Sequence, residues 1–373
     1  MRKLIFPILI GVFAYLGWSL LAPFHTALAW GTGVVALAAL LAVILWVPLV
    51  HWREDRESSS DGERYILWIA FGGMGMVSFI LVLSIVRDLV SLLFRVPLRT
   101  PEGTEIVLLL AVLFFFYGVF NATLRVHVKR VAVALPGLPE ALRGLKIVQI
   151  SDLHVGPTIR RAFVNRVVER ANACAPDLVV LTGDLVDGMV GDLRGEVAPL
   201  AGMQARLGKF YIPGNHEYYW EPLPWIRKFE ELGFTPLLNE HRLVAVGSAR
   251  LVLAGVPDFT GPSMNMPGPD PVAALQGVPA DAFPKILLCH QPHLAEAAEK
   301  AGFDLQLSGH THGGQFFPWT WFAGRVHRHQ NQGLSRSGRM ALYVSRGTGY
   351  WGPPVRLGAP AEITLLVLES TQE

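Results

Sequence analysis

Five short segments concentrate the side chains that bind divalent metal ions or move protons: Asp152-Leu153-His154, Gly183-Asp184, Gly214-Asn215-His216-Glu217, Cys289-His290 and Gly309-His310-Thr311-His312-Gly313. Aspartate, histidine and an asparagine carbonyl together suit borderline divalent ions such as Mn²⁺, Zn²⁺ or Fe²⁺ rather than Ca²⁺. A carboxylate shared by two such ions holds them about 3.5–4 Å apart, the separation that clamps an in-line displacement. Two ions flanking one water push its pKa toward neutrality, so hydroxide becomes available as a nucleophile. Glycines beside the ligands permit tight turns and close backbone approach to an oxyanion. Any one of these segments alone would be incidental. Their chemistry depends on a fold that gathers them.

The sequence around them supplies such a fold. From about residue 143, short apolar runs of strand type alternate with helical stretches. The runs are 145–151, 177–183, 209–214, 251–256, 285–290, 303–309, 341–347 and 363–369, with helices near 159–174, 222–232 and 292–301. Continuous apolar strands bounded by Gly, Asp and Asn describe a sheet covered on both faces. In such sheets ligands collect in the crevice at the carboxyl ends of the strands. Nearly every strand here ends in one of the metal-capable residues, so residues distant in sequence are expected to converge. The Pro- and Gly-rich stretch 257–284 reads as an irregular surface loop near the substrate rim.

Ahead of this region the texture is different. Residues 4–22 and 28–50 are apolar runs without a charge, and further apolar runs cover about 65–86 and 104–121. Each is about long enough to cross a hydrocarbon core of roughly 30 Å, so four spanning helices are expected. Arg2, Lys3, Arg53, Arg56, Arg64, Arg125, Lys129 and Arg130 fall on one side, against Arg87, Arg95 and Arg99 on the other. Eight against three puts both ends in the cytoplasm. Arg87 and Asp88, at the end of an apolar run, are expected to mark the interface, with an intramembrane functional pair as the alternative. The whole chain is 51% hydrophobic, with mean hydropathy +0.37, yet carries 12 His. A net charge of +2 argues against a nucleic-acid partner. The two cysteines, Cys174 and Cys289, are too few and too far apart for a zinc cluster or a disulfide framework.

The ordered series DLH, GD, GNHE, CH and GHTHGG resembles the calcineurin-like metallophosphoesterases, in their membrane-associated bacterial branch, over residues 143–373. The resemblance implies an α/β fold, a four-layer α/β/β/α sandwich, here preceded by an all-α transmembrane helical bundle. It implies domains at 1–125 (transmembrane), 126–142 (linker) and 143–373 (metallophosphoesterase). It implies two divalent metal ions, Mn, Zn or Fe. Carried onto matching positions, Asp152, His154 and His312 would bind one metal, Asn215, His290 and His310 the second, and Asp184 would bridge them. His216 would donate a proton to the leaving oxygen or stabilise charge on the phosphate. Glu217 is expected to orient its neighbours rather than bind metal. Arg346 and Arg160, with Arg161, are candidates to contact a substrate phosphate. His293, His327 and His329 are expected to be core or surface histidines.

The function so implied is hydrolysis of phosphate mono- or diesters by a metal-activated water, on a lipid or nucleotide-linked lipid. The enzyme would be a multi-pass protein of the cell inner (plasma) membrane with its catalytic domain in the cytoplasm. Two alternatives stand beside it. A protein phosphatase fits the chemistry but less well the GNHE and GHTHGGQ pattern. A membrane sensor or transporter with a non-catalytic domain fits poorly with an intact ligand set.

Overall fold

A computed structural model describes residues 2–47, 61–326 and 331–370. Arg53 and Arg56 of the charged loop, and His327 and His329, lie outside the described residues. The chain divides into two compact units, Met1–Phe120 with Gly352–Leu357, and Asn121–Trp351 with Gly358–Glu373.

The first unit is helical: α1 (Arg2–Leu21), α2 (Ala27–Trp46), α3 (Asp61–Phe94) and α4 (Pro101–Leu124). These sequences are apolar around the whole helix rather than on one stripe, which suits lipid or a bundle core. Three described stretches, Ala27–Trp46, Gly62–Phe94 and Pro101–Leu124, are long and apolar enough to cross a membrane; the apolar part of α1, Phe6–Leu21, is shorter. Phe13, Leu16 and Leu20 of α1 pack with Ile44 of α2, Val77 of α3 and Val107 of α4. Val355, from the segment Gly352–Leu357, is fully buried, and the Arg356 N–H donates to the Gly118 carbonyl at 3.0 Å. A Cβ on Gly118 would stand 2.5 Å from Val355 Cγ1, so that turn of α4 admits only glycine without repacking. Arg87 is buried. Its guanidinium donates to Asp88, to the Thr104 hydroxyl and to the Ser19 carbonyl, and Asp88 also accepts from Tyr15, Ser19 and Arg99.

The second unit holds two six-stranded sheets. One contains β1 (His127–Leu135), β2 (Lys146–Ile150), β3 (Leu178–Thr182), β4 (Gly208–Ile212), β5 (Thr235–Pro236) and β12 (Glu362–Ser370). The other contains β6 (Glu240–Val246), β7 (Ala249–Gly255), β8 (Lys285–Leu288), β9 (Leu305–Ser308), β10 (Gly333–Ser337) and β11 (Met340–Val344). The orders are β1-β12-β2-β3-β4-β5 and β10-β11-β9-β8-β7-β6. Strands β2 to β5 run parallel, as do β7, β8, β9 and β11. Their carboxyl ends therefore share an edge within each sheet.

Three apolar clusters define four layers. Ile147, Leu178, Val180 and Ile212 of the first sheet meet Leu251, Leu253, Ile286 and Leu305 of the second. The alternate residues Val148, Ile150, Val179 and Leu181 face outward onto α5 (Arg161–Ala173), α6 (Val190–Val197) and α8 (Pro222–Glu231). On the far side, Leu287, Leu342 and Val344 pack on α9 (Ala295–Ala301). Both faces of β3 are thus buried, which explains its unbroken apolar sequence. The order and layering are those of the calcineurin-like fold, with long apolar helices ahead of them.

The stretch 126–142, expected as a linker, carries the nine-residue strand β1, paired in parallel with β12. Its sequence, HVKRVAVAL, buries only Val133 and Leu135 fully, so its apolar period is diluted by edge positions. The segment 257–284 contains no strand, only the short turns Gly261–Met264 and Ala273–Leu275.

Candidate metal centre

Each candidate ligand sits two to four residues past a strand end. Asp152 and His154 follow β2, Asp184 follows β3, His290 follows β8, and His310 and His312 follow β9. Asn215 and His216 begin the short helix α7 (Asn215–Tyr219) after β4. Asp152, His154, Asp184, His310 and His312 have φ of 52°, 50°, 54°, 72° and 51°. All five thus adopt a positive φ that L-residues seldom take. The backbone also packs closely. A Cβ on Gly183 would lie 2.6 Å from the Gly214 nitrogen and 2.7 Å from His290 Nδ1.

Three groups of potential ligand atoms result, each lying within 4.8 Å of one another: Asp152, His154 and His312; Asp184, His290 and His310; and His154, Asp187 and His216. His154 Nε2 faces His312 Nε2 at 3.0 Å, and His312 Nε2 is 3.5 Å from Asp152 Oδ1. In the second group His290 Nε2 lies 3.1 Å from Asp184 Oδ2 and 3.2 Å from His310 Nδ1. The groups adjoin: the rings of His154 and His216 are 4.6 Å apart, and the His310 N–H donates to Asp152. Asn215 is buried, and its Oδ1 accepts no hydrogen bond.

Outer contacts set the tautomers. His290 Nδ1 donates to the Thr182 carbonyl at 2.8 Å, which makes Nε2 the nitrogen aimed inward at the site. Asp187 accepts from His154 Nδ1 at 3.1 Å and from His216 Nδ1, so one carboxylate orients both rings. His216 Nε2 then faces Asp184 Oδ2 at 3.9 Å. Glu217 commits its carboxylate to backbone donors. It accepts from the backbone N–H groups of Asp184, Leu185 and Gly214 and so laces the ends of β3 and β4 together.

The electrostatics call for a cation. Burial opposes ionisation of Asp184, but His290 and His216 outweigh it and hold the carboxyl well below the usual range. Burial likewise disfavours the charged imidazoles, yet Asp184 and Asp187 push His216 up to about 9. Asp184 with Asp152 pushes His290 up to about 10. Protons are thus retained on rings whose nitrogens crowd together. A divalent cation satisfies the same carboxylates, the inward nitrogens and the orphaned Asn215 oxygen at once, and the N/O donor set suits Mn²⁺, Zn²⁺ or Fe²⁺.

The arginine candidates have partners of their own, and Arg346 lies against the ligand turn, its Cγ 3.0 Å from where a Cβ on Gly313 would stand. Arg346 donates its Nε to Glu362 at 2.7 Å. Arg160 pairs with Glu196 at 2.7 Å, whose other oxygen accepts the Arg161 N–H. None of the three belongs to the ligand groups. His293 stacks on Phe259, centroids 3.9 Å apart. Asp187 escaped the sequence reading although a signal was present: it follows Asp184 by three residues in the same post-strand loop. Trp351, whose ring meets His216 edge-on at 5.7 Å, carried no such signal.

A family model described as calcineurin-like phosphoesterase matches residues 145–314, the span from the start of β2 to the GHTHGG turn. A transmembrane protein with metallophosphoesterase domain from Danio rerio is 38% identical over 356 residues, covering 88% of this chain and 80% of that protein. Its namesake from Bos taurus is 37% identical, covering 74% and 64%. A metallophosphoesterase of Campylobacter jejuni is 35% identical over 71% of this chain and 69% of its own length. The long apolar helices and the transmembrane relatives mark a membrane protein. With the sandwich, the gathered ligand groups and a relative matched over most of both lengths, the chain belongs to the calcineurin-like phosphoesterase family.

Proposed function

We propose that this chain is a membrane-anchored, binuclear-metal phosphoesterase that hydrolyses phosphate mono- or diesters carried by a lipid or a nucleotide-linked lipid. The observation that carries the reading is the pair of adjoining ligand groups with the unpartnered Asn215 oxygen beside them. In this reading Asp152, His154 and His312 would hold one ion, Asn215, His290 and His310 the other, and the Asp184 carboxylate would serve both. When bound, the ions supply Lewis acidity toward the phosphoryl oxygens and lower the pKa of water at the site.

The chain's own groups do the rest. Asp187 fixes the His216 ring through Nδ1, so the Nε2 proton is the one presented to the pocket. That proton passes to the leaving oxygen as the ester bond breaks, or remains to balance charge on the phosphoryl group. Glu217 holds the β3 and β4 ends in register, so Asp184 and Asn215 keep their separation. The positive-inside pattern supports a cytoplasmic catalytic domain at the plasma membrane. Attachment to the bilayer supports an amphiphilic substrate, which a tethered enzyme meets without leaving the membrane.

Purified protein supplied with Mn²⁺ is expected to hydrolyse bis(p-nitrophenyl) phosphate, and Asp184→Ala to abolish that activity. Turnover surviving in Asp184→Ala would sink the shared-carboxylate mechanism. Hydrolysis of phosphopeptides in preference to any lipid ester would move the substrate to proteins.

A further inference from the structure

The turn that carries His312 runs directly into a short helix, α10 (Trp319–Val326), whose outer surface is aromatic. Phe317, Trp319, Trp321 and Phe322 are all exposed, Trp321 by 53% and Phe322 by 48%. The rings form a continuous surface, with centroids 5.9 Å apart for Trp319 and Phe322 and 5.0 Å for Trp321 and Phe322. The Arg325 guanidinium lies over Trp321 at 4.3 Å. A contiguous exposed apolar patch of this kind marks an interaction site rather than ordinary surface.

Its position is fixed relative to the metal centre. A Cβ on Gly314 would come within 2.6 Å of the Thr320 nitrogen, so α10 begins in backbone contact with the ligand turn. Gln315 is buried and clasps the Trp351 backbone both ways: its Nε2 donates to the carbonyl at 3.1 Å and its Oε1 accepts the N–H at 2.9 Å. Trp351, itself exposed, stands against His216. The turn that leads into α10 thus holds, through buried Gln315, the Trp351 backbone whose ring meets the proposed proton donor.

We infer that the α10 aromatic surface is the subsite for the hydrocarbon tail of an amphiphilic phosphate ester whose phosphate occupies the metal centre. The inference rests on the phosphoesterase reading and gives its substrate a tail-binding site. Among the described residues, the Trp319–Phe322 and Trp321–Phe322 ring pairs are inclined at 39° and 78°, so neither pair offers parallel faces to a flat base, whereas a flexible chain lies along uneven rings. Arg325 places a cation at the end of that surface, complementary to an anionic amphiphile. A protein with membrane-length apolar helices has such molecules as permanent neighbours.

The test uses the full chain in a neutral maltoside detergent with Mn²⁺, and p-nitrophenyl phosphodiesters bearing a methyl or a dodecyl group. The double substitution Trp321→Ser with Phe322→Ser is expected to lower kcat/KM for the dodecyl ester at least tenfold through KM, and to leave the methyl ester within about twofold. Equal losses on both esters, or no loss on either, would overturn the assignment. A wild-type preference for an adenosyl ester over the dodecyl one would also overturn it. A second measurement is independent of turnover: dodecyl phosphate with a terminal diazirine should photolabel the 317–326 peptide in the wild type and not in the double variant. Labelling elsewhere, or labelling unchanged by the substitutions, contradicts the subsite. Equal labelling by a diazirine phosphatidylcholine would make it a general membrane contact and contradict it too. Wild-type protein that cleaves neither ester defeats the phosphoesterase reading, and the photolabel then decides the subsite by itself.

Discussion

Asp152, His154, Asp184, His310 and His312 share a backbone conformation that L-residues avoid. Each such position costs on the order of 1–2 kcal/mol, and strain of this sort persists only where the surroundings over-determine it. The residue types were legible in the sequence because Asp and His next to Gly at strand ends are read directly. Their φ values were not, because the strain is imposed by strands that meet only in the folded chain. The strain makes a test of its own. Asp152→Gly and Asp152→Ala both remove the carboxylate, but only glycine relaxes the backbone. Metal-free Asp152→Gly is expected to be more stable than Asp152→Ala by roughly 1 kcal/mol in denaturant unfolding; equal stabilities would show that the conformation is not strained. Asp187 acts through the two rings it holds. Asp187→Asn should lower activity or Mn²⁺ affinity by about 10–100-fold, read from Mn²⁺ titrations of the hydrolysis rate. An unchanged titration and rate would remove Asp187 from the machinery.

At the scale of elements, the buried strands were legible and the edges were not. The runs at 145–151, 177–183 and 303–309 are dominated by apolar residues because both faces of their strands are covered. By contrast β1, β6 and β10 each keep polar or exposed positions, and their periodicity falls into the surrounding loops. The short helices α6 and α10 were hidden for the same reason. What holds β1 is partly ionic. Lys129 on β1 lies 3.7 Å from Glu362 on β12, and Arg346 after β11 lies 2.7 Å from the same carboxylate. Burial opposes its charge, but Arg346 and Lys129 outweigh it and lower the Glu362 pKa. A depressed carboxylate stabilises above its unfolded pKa, about 4.3, and that contribution is lost as pH falls through the lower folded value. Glu362→Gln should therefore cost stability at pH 7, and the gap from wild type should shrink on acidification below about pH 4.3. A gap independent of pH would mean that the charge contributes nothing. In the helical unit, Arg87 is buried and pairs at 2.9 Å with the largely covered Asp88. Removing one partner of a buried pair costs about 3–5 kcal/mol, so Asp88→Ala should lower the melting temperature in detergent more than the joint replacement Arg87→Met with Asp88→Ala.

At the scale of the molecule, the strand after α4 decides where the catalytic unit can be cut free. A chain starting at Asn121 keeps β1 on β12 and is expected to stay soluble with activity on small esters. One starting at Ala141 uncovers the apolar edge of β12 and is expected to aggregate; size-exclusion chromatography separates the two, and a monodisperse Ala141 chain would deny β1 its structural part. The proposed binuclear site requires side chains from both sheets to hold a pair of cations around Asp184. Its most direct test is metal stoichiometry after equilibrium dialysis of the full chain against Mn²⁺, read by inductively coupled plasma mass spectrometry. The prediction is two ions per chain in the wild type, two in His293→Ala, and at most one in Asp184→Ala. Fewer than two in the wild type, or two retained in Asp184→Ala, would contradict it.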